Sequence, residues 1–274
     1  MAKTIFFPVV LSFIFILSYT MCINANATGK NAGGKNEVDD EKPFSYLLGT
    51  TEGPYKWGTL KPNWKICDTG LFQSPINFRN KTVKVTKRIP HFTPNYKISS
   101  ATIMNRGHDI KLQWEGDAGS ITLNGTVYKL IQCHWHTPSE HKVDGQSLAM
   151  EAHLIHQSVN GKLTAVIGIL FNIGPPNPFL NELIHHAKTV DRKGKKVGLV
   201  DPNKLGVKAE PFYRYIGSLT VPPCTEGIVW NVLHQPRTVS MDQMMALRNA
   251  VNDGFQVNAR PTQGLRRRPV YLVM

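Results

Sequence analysis

Three histidines fall within the stretch "QCHWHTPSEH", residues 132–141. In an extended strand the side chains at i and i+2 share a face, so His134 and His136 point one way while Cys133 and Trp135 point the other. Two imidazoles aimed at one spot are half of a metal site. A second segment, "LAMEAHLIHQ" (148–157), follows a turn through "DGQ" and puts Glu151, His153 and Ile155 on one face. If the two strands are neighbours, His153 completes the set. Three neutral imidazoles with an open fourth position suit catalytic rather than structural zinc. The same period places Gln132 two before His134 and Glu151 two before His153, where each can accept the ligand's other N–H and fix its tautomer. A bare His-x-His is a weak signal, because paired strand histidines are more often surface or core residues. His141, His156, His185 and His186 have no partner at ligand spacing and read as structural or exposed.

The elements that must carry these residues are short and β-like: "ATIMN", "DIKLQW", "SITLNGTVYKLIQCHWH", "LAMEAHLIHQ", "LTAVIGILFNI" and "GIVWNVL", punctuated by Pro, Gly and Asn. Two helices are predicted, over 177–190 and 240–251, the second opened by Ser240 as N-cap. With 274 residues, 41% hydrophobic content, no internal repeat and no interior linker, the pattern implies a single β-rich domain with peripheral helices.

That domain is expected over 44–274. Before it, residues 28–43 are Gly, Asn and Lys rich and read as disordered. Residues 1–27 read as a cleaved secretory signal peptide: the chain is uncharged between Lys3 and Lys30, and "ANA" supplies small residues for cleavage. An uncleaved membrane anchor is the bland alternative, disfavoured by Pro8 and the polar tail; no later segment is apolar enough to span. Losing Lys3 lowers the formal charge of +13 by only one. The basic residues are scattered apart from "DRKGKK" (191–196) and "RRR" (266–268), so solvated faces or affinity for anionic surfaces are expected and a nucleic-acid partner is not. In an oxidising compartment, Cys67 and Cys224, both at loop-like positions, are expected to pair, leaving Cys133 buried and free. Asn80 and Asn124 head glycosylation sequons, and a third, at Asn26, leaves with the signal.

Taken in order, "FSY", "QSPINF", "NRGHD", "QCHWHTPSEH", "MEAHLIH", "GSLTVPPCTEGIVW" and "NARPTQ" resemble an α-class carbonic anhydrase of the plant secreted type, in the group that also holds the dioscorins and nectarins. The resemblance spans nearly the whole mature chain. It implies a mainly β (α+β) single domain built on a large, mostly antiparallel, twisted central sheet with peripheral helices and zinc in a conical cleft. It implies Zn2+ on His134, His136 and His153, with Gln132, Glu151 and the backbone of Asn258 as their outer partners. The implied activity is reversible hydration of carbon dioxide to bicarbonate and a proton by zinc-bound hydroxide. Thr220 and Glu140 match the pair that orients the nucleophile, and His108 matches the proton shuttle. Tyr46 and Asn105 match the water network. Ile155, Val166, Leu219, Ile228 and Trp230 match the apolar wall that receives carbon dioxide, and Val221 lines the pocket where many relatives have a hydroxyl. Cys67 and Cys224 match the disulfide of secreted members. Arg106 and Lys111 depart from the neutral amides common beside the shuttle, and two cations there are expected to depress its pKa.

Two other functions fit the same residues. A carbonic anhydrase-like storage or binding protein would be signalled by loss of a histidine or the threonine, and every matched position is intact. Ester hydrolysis is expected only as a side activity. The implied route ends outside the cell, with a plastid reached through the secretory pathway as the alternative.

Overall fold

Segments rich in Val, Ile, Thr and aromatic residues, punctuated by Pro, Gly and Asn, have the propensity and pattern of strands. The computed structural model of the protein, which describes residues 44–252 and 254–274, assembles them into one large twisted sheet. Its main path runs Lys195–Val200, Ser99–Asn105, Ile110–Trp114, Thr126–His136, Met150–Ser158, Thr164–Ile173, Glu226–Leu233, Phe212–Ser218, Tyr271–Val273 and Lys84–Thr86. Most neighbours are antiparallel. Thr164–Ile173 nevertheless runs parallel to Glu226–Leu233, and Tyr271–Val273 parallel to Lys84–Thr86, so the mostly antiparallel sheet is a mixed one. The expected signal peptide, the polar segment after it and Asn26 lie outside the described residues.

Burial changes along the central strands in a way that matters for the site. The start of Thr126–His136 alternates between covered and open positions, but from Gln132 to His136 every residue is buried. Met150–His156 and Thr164–Phe171 are buried on both faces as well. Histidines placed there are withdrawn from water, so their nitrogens need partners. One face packs Cys133, Trp135, Leu154 and Ile167 into the larger apolar cluster. The other gathers Ile155, Val166, Tyr215, Leu219 and Trp230.

The predicted helices are present as Pro178–Ala187 and Met241–Ala250. Both stop short of the β-branched residues expected to end them, and Val251 is already extended. Ser240 caps the second through a reciprocal capping box with Gln243. Gln243 also joins the helices, accepting from the Asn177 amide at 2.7 Å and donating to the Asn177 carbonyl at 2.9 Å. Among the described residues no helix is long and apolar enough to cross a membrane.

The two basic runs diverge. Lys195 and Lys196 are exposed on the strand Lys195–Val200, at one end of the sheet path, where lysine discourages edge-to-edge pairing. In the other run Arg266 and Arg267 are exposed, whereas Arg268 is buried, which corrects the expectation of a uniformly solvated face. Cys67 is bonded to Cys224 and Cys133 is a buried free thiol. Asn80 and Asn124 are both exposed.

Candidate active site

Strand register brings the histidines together. His134 lies opposite His153, and Glu151 opposite His136, on adjacent antiparallel strands. Ring centroids are 5.0 Å apart for His134 and His136, 5.1 Å for His134 and His153, and 4.5 Å for His136 and His153. One nitrogen from each ring lies within 4.8 Å of the others. His153 Nδ1 and His134 Nε2 are 3.3 Å apart, about the edge of a tetrahedron with metal–nitrogen bonds of about 2.05 Å.

The outer partners decide which nitrogen faces inward. His134 Nδ1 donates to Gln132 Oε1 at 3.0 Å, His136 Nδ1 to the Asn258 carbonyl at 2.7 Å, and His153 Nε2 to Glu151 Oε1 at 2.9 Å. With those N–H groups directed outward, lone pairs remain at Nε2, Nε2 and Nδ1. Burial also pushes His134 well below the ordinary histidine range, which keeps it neutral. His136 Nε2 is buried without a hydrogen-bond partner, an unfavourable state that a cation relieves. Donor type, spacing and tautomer all fit a borderline-soft divalent ion such as zinc.

Glu151 holds more than His153. Its Oε1 also accepts from His141 Nδ1 at 2.7 Å, and its Oε2 accepts the backbone amides of Glu140 and His141 at 3.0 and 2.8 Å. Burial alone would raise its pKa, but His141 and His153 hold it well below the carboxylate range. Gly168, opposite His153 in the next strand, gives the carboxylate room: a Cβ there would sit 3.1 Å from Glu151 Oε1. His141 is therefore no bystander. It is fully buried and its Nε2 meets Tyr215 Oη at 2.6 Å, which meets Ser74 Oγ at 2.8 Å. Reading it merely as a histidine without ligand-spaced partners missed this chain, because a loop residue carries no period to reveal its direction.

The carboxylate nearest the inner nitrogens is Glu140. Its Oε2 lies 3.6 Å from His136 Nε2 and its Oε1 accepts the Arg260 amide at 2.9 Å. Burial pushes the carboxyl up to about 7, against the opposing pull of His136, the Thr220 hydroxyl and the Arg260 amide. Thr220, 1% exposed, sits in the loop that the disulfide ties to Cys67. The side chain of Arg260 braces the same region, donating to Gln73 Oε1, the Ser74 carbonyl and the Cys67 carbonyl at 2.8–2.9 Å. Sequence reasoning passed over it, although its motif "NARPTQ" was in view.

Residues 52–274 match the family model described as eukaryotic-type carbonic anhydrase. The chain belongs to that family. It is 46% identical to alpha carbonic anhydrase 4 of Arabidopsis thaliana, over 98% of this chain and 96% of that one. Among solved structures it resembles dioscorin complexed with ascorbate at 40% identity and a TM-score of 0.81, covering 84% of this chain and 97% of that one. It also resembles the α-carbonic anhydrase of Thermovibrio ammonificans at 34% identity and a TM-score of 0.73, covering 83% and 98%.

In this carbonic anhydrase, Ile155, Val166, Leu219, Ile228 and Trp230 share one apolar cluster. Register explains part of the wall, since Gln132, Ile155, Val166 and Trp230 form one row across four strands. Val221 instead packs in the larger cluster with Cys67 and Cys224. Tyr46 is buried edge-on to Trp57 and Phe255. Asn105 spends its amide on backbone, donating to the Ala250 carbonyl at 2.6 Å and accepting from the Gly107 amide at 2.7 Å.

His108 differs from expectation in its setting. It is 0% exposed, with its ring 5.2 Å from Phe44 and 6.5 Å from Phe255, and its Nε2 is 3.7 Å from Asp109 Oδ2. Arg106 does not act on it as a lone cation, because both its Nε and its Nη2 bond the buried Asp109 carboxylate. Burial would raise Asp109, but Arg106, His108 and His134 together outweigh it and hold the carboxyl far below its usual range. Lys111 is buried at 9% exposure and lies opposite His134 in the next strand.

Proposed function

We propose that the protein is a secreted, zinc-dependent enzyme that interconverts carbon dioxide with bicarbonate and a proton. The observation that carries this reading is the set of three imidazoles whose outward N–H groups are engaged and whose inner nitrogens converge, two of them 3.3 Å apart. When bound, zinc supplies a Lewis-acidic centre that makes a water nucleophilic at neutral pH, chemistry for which carbonic anhydrase is itself the standing example. His134, His136 and His153 would hold it, with Gln132, Glu151 and Asn258 fixing their tautomers. Thr220 donates its hydroxyl hydrogen to Glu140 and so presents a lone pair to the attacking oxygen, which orients it and disfavours ligands with no hydrogen to give. Ile155, Val166, Leu219, Ile228 and Trp230 hold carbon dioxide and exclude water, while Val221 packs with Cys67 and Cys224. His108 carries a proton away from the centre, with Tyr46 ordering the path and Asn105, bonded to the Ala250 carbonyl and the Gly107 amide, holding the backbone beside His108. A disulfide and two exposed sequons, Asn80 and Asn124, are consistent with the secretory route.

A second reading has one observation in its favour. A shuttle must exchange protons with bulk water, and the burial of His108 would slow that step. A catalytically weak carbonic anhydrase-like storage or binding protein would tolerate this feature, and the similar dioscorin structure is a complex with ascorbate. Zinc content and carbon dioxide hydration, measured together before and after chelation and zinc return, separate the two. Stoichiometric zinc with fast hydration that is lost and restored with the metal supports the enzyme. A stoichiometric metal without hydration would refute it. His134→Ala, His136→Ala or His153→Ala is each expected to lose most activity and weaken zinc retention, and full activity in any of them would remove that residue from the site.

A further inference from the structure

A second concave feature lies where the 79–84 segment faces the chain from Leu265 to Tyr271. It is a cavity of about 290 Å³ whose lining holds four cations, Arg79, Lys84, Arg267 and Arg268, and no carboxylate. None of the four forms an ion pair among the described residues. Three of them are exposed, but Arg268 is only 7% exposed.

Arg268 marks this as a built site. Its Nη1 and Nη2 are taken by the carbonyls of Ile216, Gln73 and Gly264, while its Nε is buried with no hydrogen-bond partner. Glu226, which acts on it electrostatically, already accepts from the Phe72 amide and Gln73 Nε2. Burial pushes the guanidinium below its ordinary range. A buried cation whose nearby carboxylate is already engaged by other donors is incompletely compensated, and an anion nearby would offset it.

The backbone is bent to bring the cations here. Arg266 and Arg267 have φ of 47° and 66°, a left-handed conformation that costs non-glycine residues energy. The Arg268 amide closes the turn on the Leu265 carbonyl at 3.0 Å. Val83, Leu265 and Val270 add an apolar wall to the same cavity. Guanidinium groups match the geometry of phosphate and sulfate oxygens, and charge-assisted bonds to them are about twice as strong as neutral ones.

We propose that this cavity binds a small organic oxyanion, a phosphate or sulfate monoester, its charged group held by Arg79, Lys84 and Arg267 beside Arg268 and its body lying on the wall of Val83, Leu265 and Val270. The proposal is independent of the histidine centre. Isothermal titration calorimetry of the zinc-loaded full chain at low ionic strength tests it, with glucose 6-phosphate, inorganic phosphate and glucose as probes. Glucose 6-phosphate is expected to bind saturably and more tightly than either part. Arg79→Gln combined with Arg267→Gln, both exposed and far from any core role, is expected to weaken it about tenfold or more while carbon dioxide hydration stays unchanged. No saturable binding of the ester, or binding that the double variant keeps, overturns the proposal. Inorganic phosphate binding as tightly as the ester overturns the role of the apolar wall, and glucose binding as tightly overturns that of the cations.

Discussion

Replacing Arg260 by lysine tests whether the active-site loops are held by one buried side chain. The guanidinium is 2% exposed and donates to Gln73 Oε1, the Ser74 carbonyl and the Cys67 carbonyl, all at 2.8–2.9 Å. It also lies 5.4 Å from the centre of the Trp57 ring. Hydrogen bonds from a charged donor contribute about 1.5–3 kcal/mol each. A lysine ammonium, lacking the planar fork, reaches one of the three acceptors and strands the other two away from water. The expected loss is therefore about 3–5 kcal/mol, within the range for breaking a buried network. Because the Arg260 backbone amide still reaches Glu140, zinc content should be retained and activity at low temperature should fall only a few-fold. Urea unfolding under non-reducing conditions, followed by tryptophan fluorescence, measures the loss, with the exposed Arg266→Lys as control. A loss below about 1 kcal/mol, no larger than the control's, would show that the loops are held by the disulfide and packing alone.

Three further outcomes are expected. Thr220→Ala should retain zinc and lose roughly tenfold to a hundredfold in carbon dioxide hydration through misplacement of the nucleophile; unchanged kinetics would give the threonine another role. His108→Ala should lower kcat with kcat/KM nearly unchanged, with partial rescue by imidazole buffers, whereas an unaffected kcat would show that the buried ring never serves as the proton exit. His156, whose Nε2 meets Tyr96 Oη at 2.9 Å, has its pKa lowered to about 3, mainly by burial. The unfolded chain then binds more protons between the ordinary histidine value and about 3, so this stability contribution is complete above pH 6.5 and declines as pH falls, by about 2 kcal/mol at pH 5. His156→Phe should flatten that slope in unfolding experiments run from pH 7 to 5, and an unchanged slope would place the proton uptake elsewhere.

How far the site can be read from sequence depends on which residues sit on regular strands. Alternation alone puts His134 and His136 on one face, and one further inference, that the next strand is a neighbour, supplies His153 with Gln132 and Glu151 behind the ligands. Those residues repeat with period 2, and the observed register pairs His134 with His153 as that inference requires. The period ends with the strand. His141 lies beyond the end of the His134 strand, and Arg260 comes from a segment without regular structure, yet the two side chains join Glu151, Tyr215, Gln73 and Cys67 across separations of up to 193 residues. No local pattern encodes such contacts, because they are set by which loops the sheet topology brings together. The same limit separates a resemblance from a setting. A motif match carries His108 to the shuttle position, but its burial depends on Phe44 and Phe255 closing over it from distant parts of the chain. Arg268 shows the converse: in sequence it is one of three like charges, and only the fold distinguishes it, by turning its guanidinium onto the carbonyls of Gln73 and Ile216 while its neighbours stay in water.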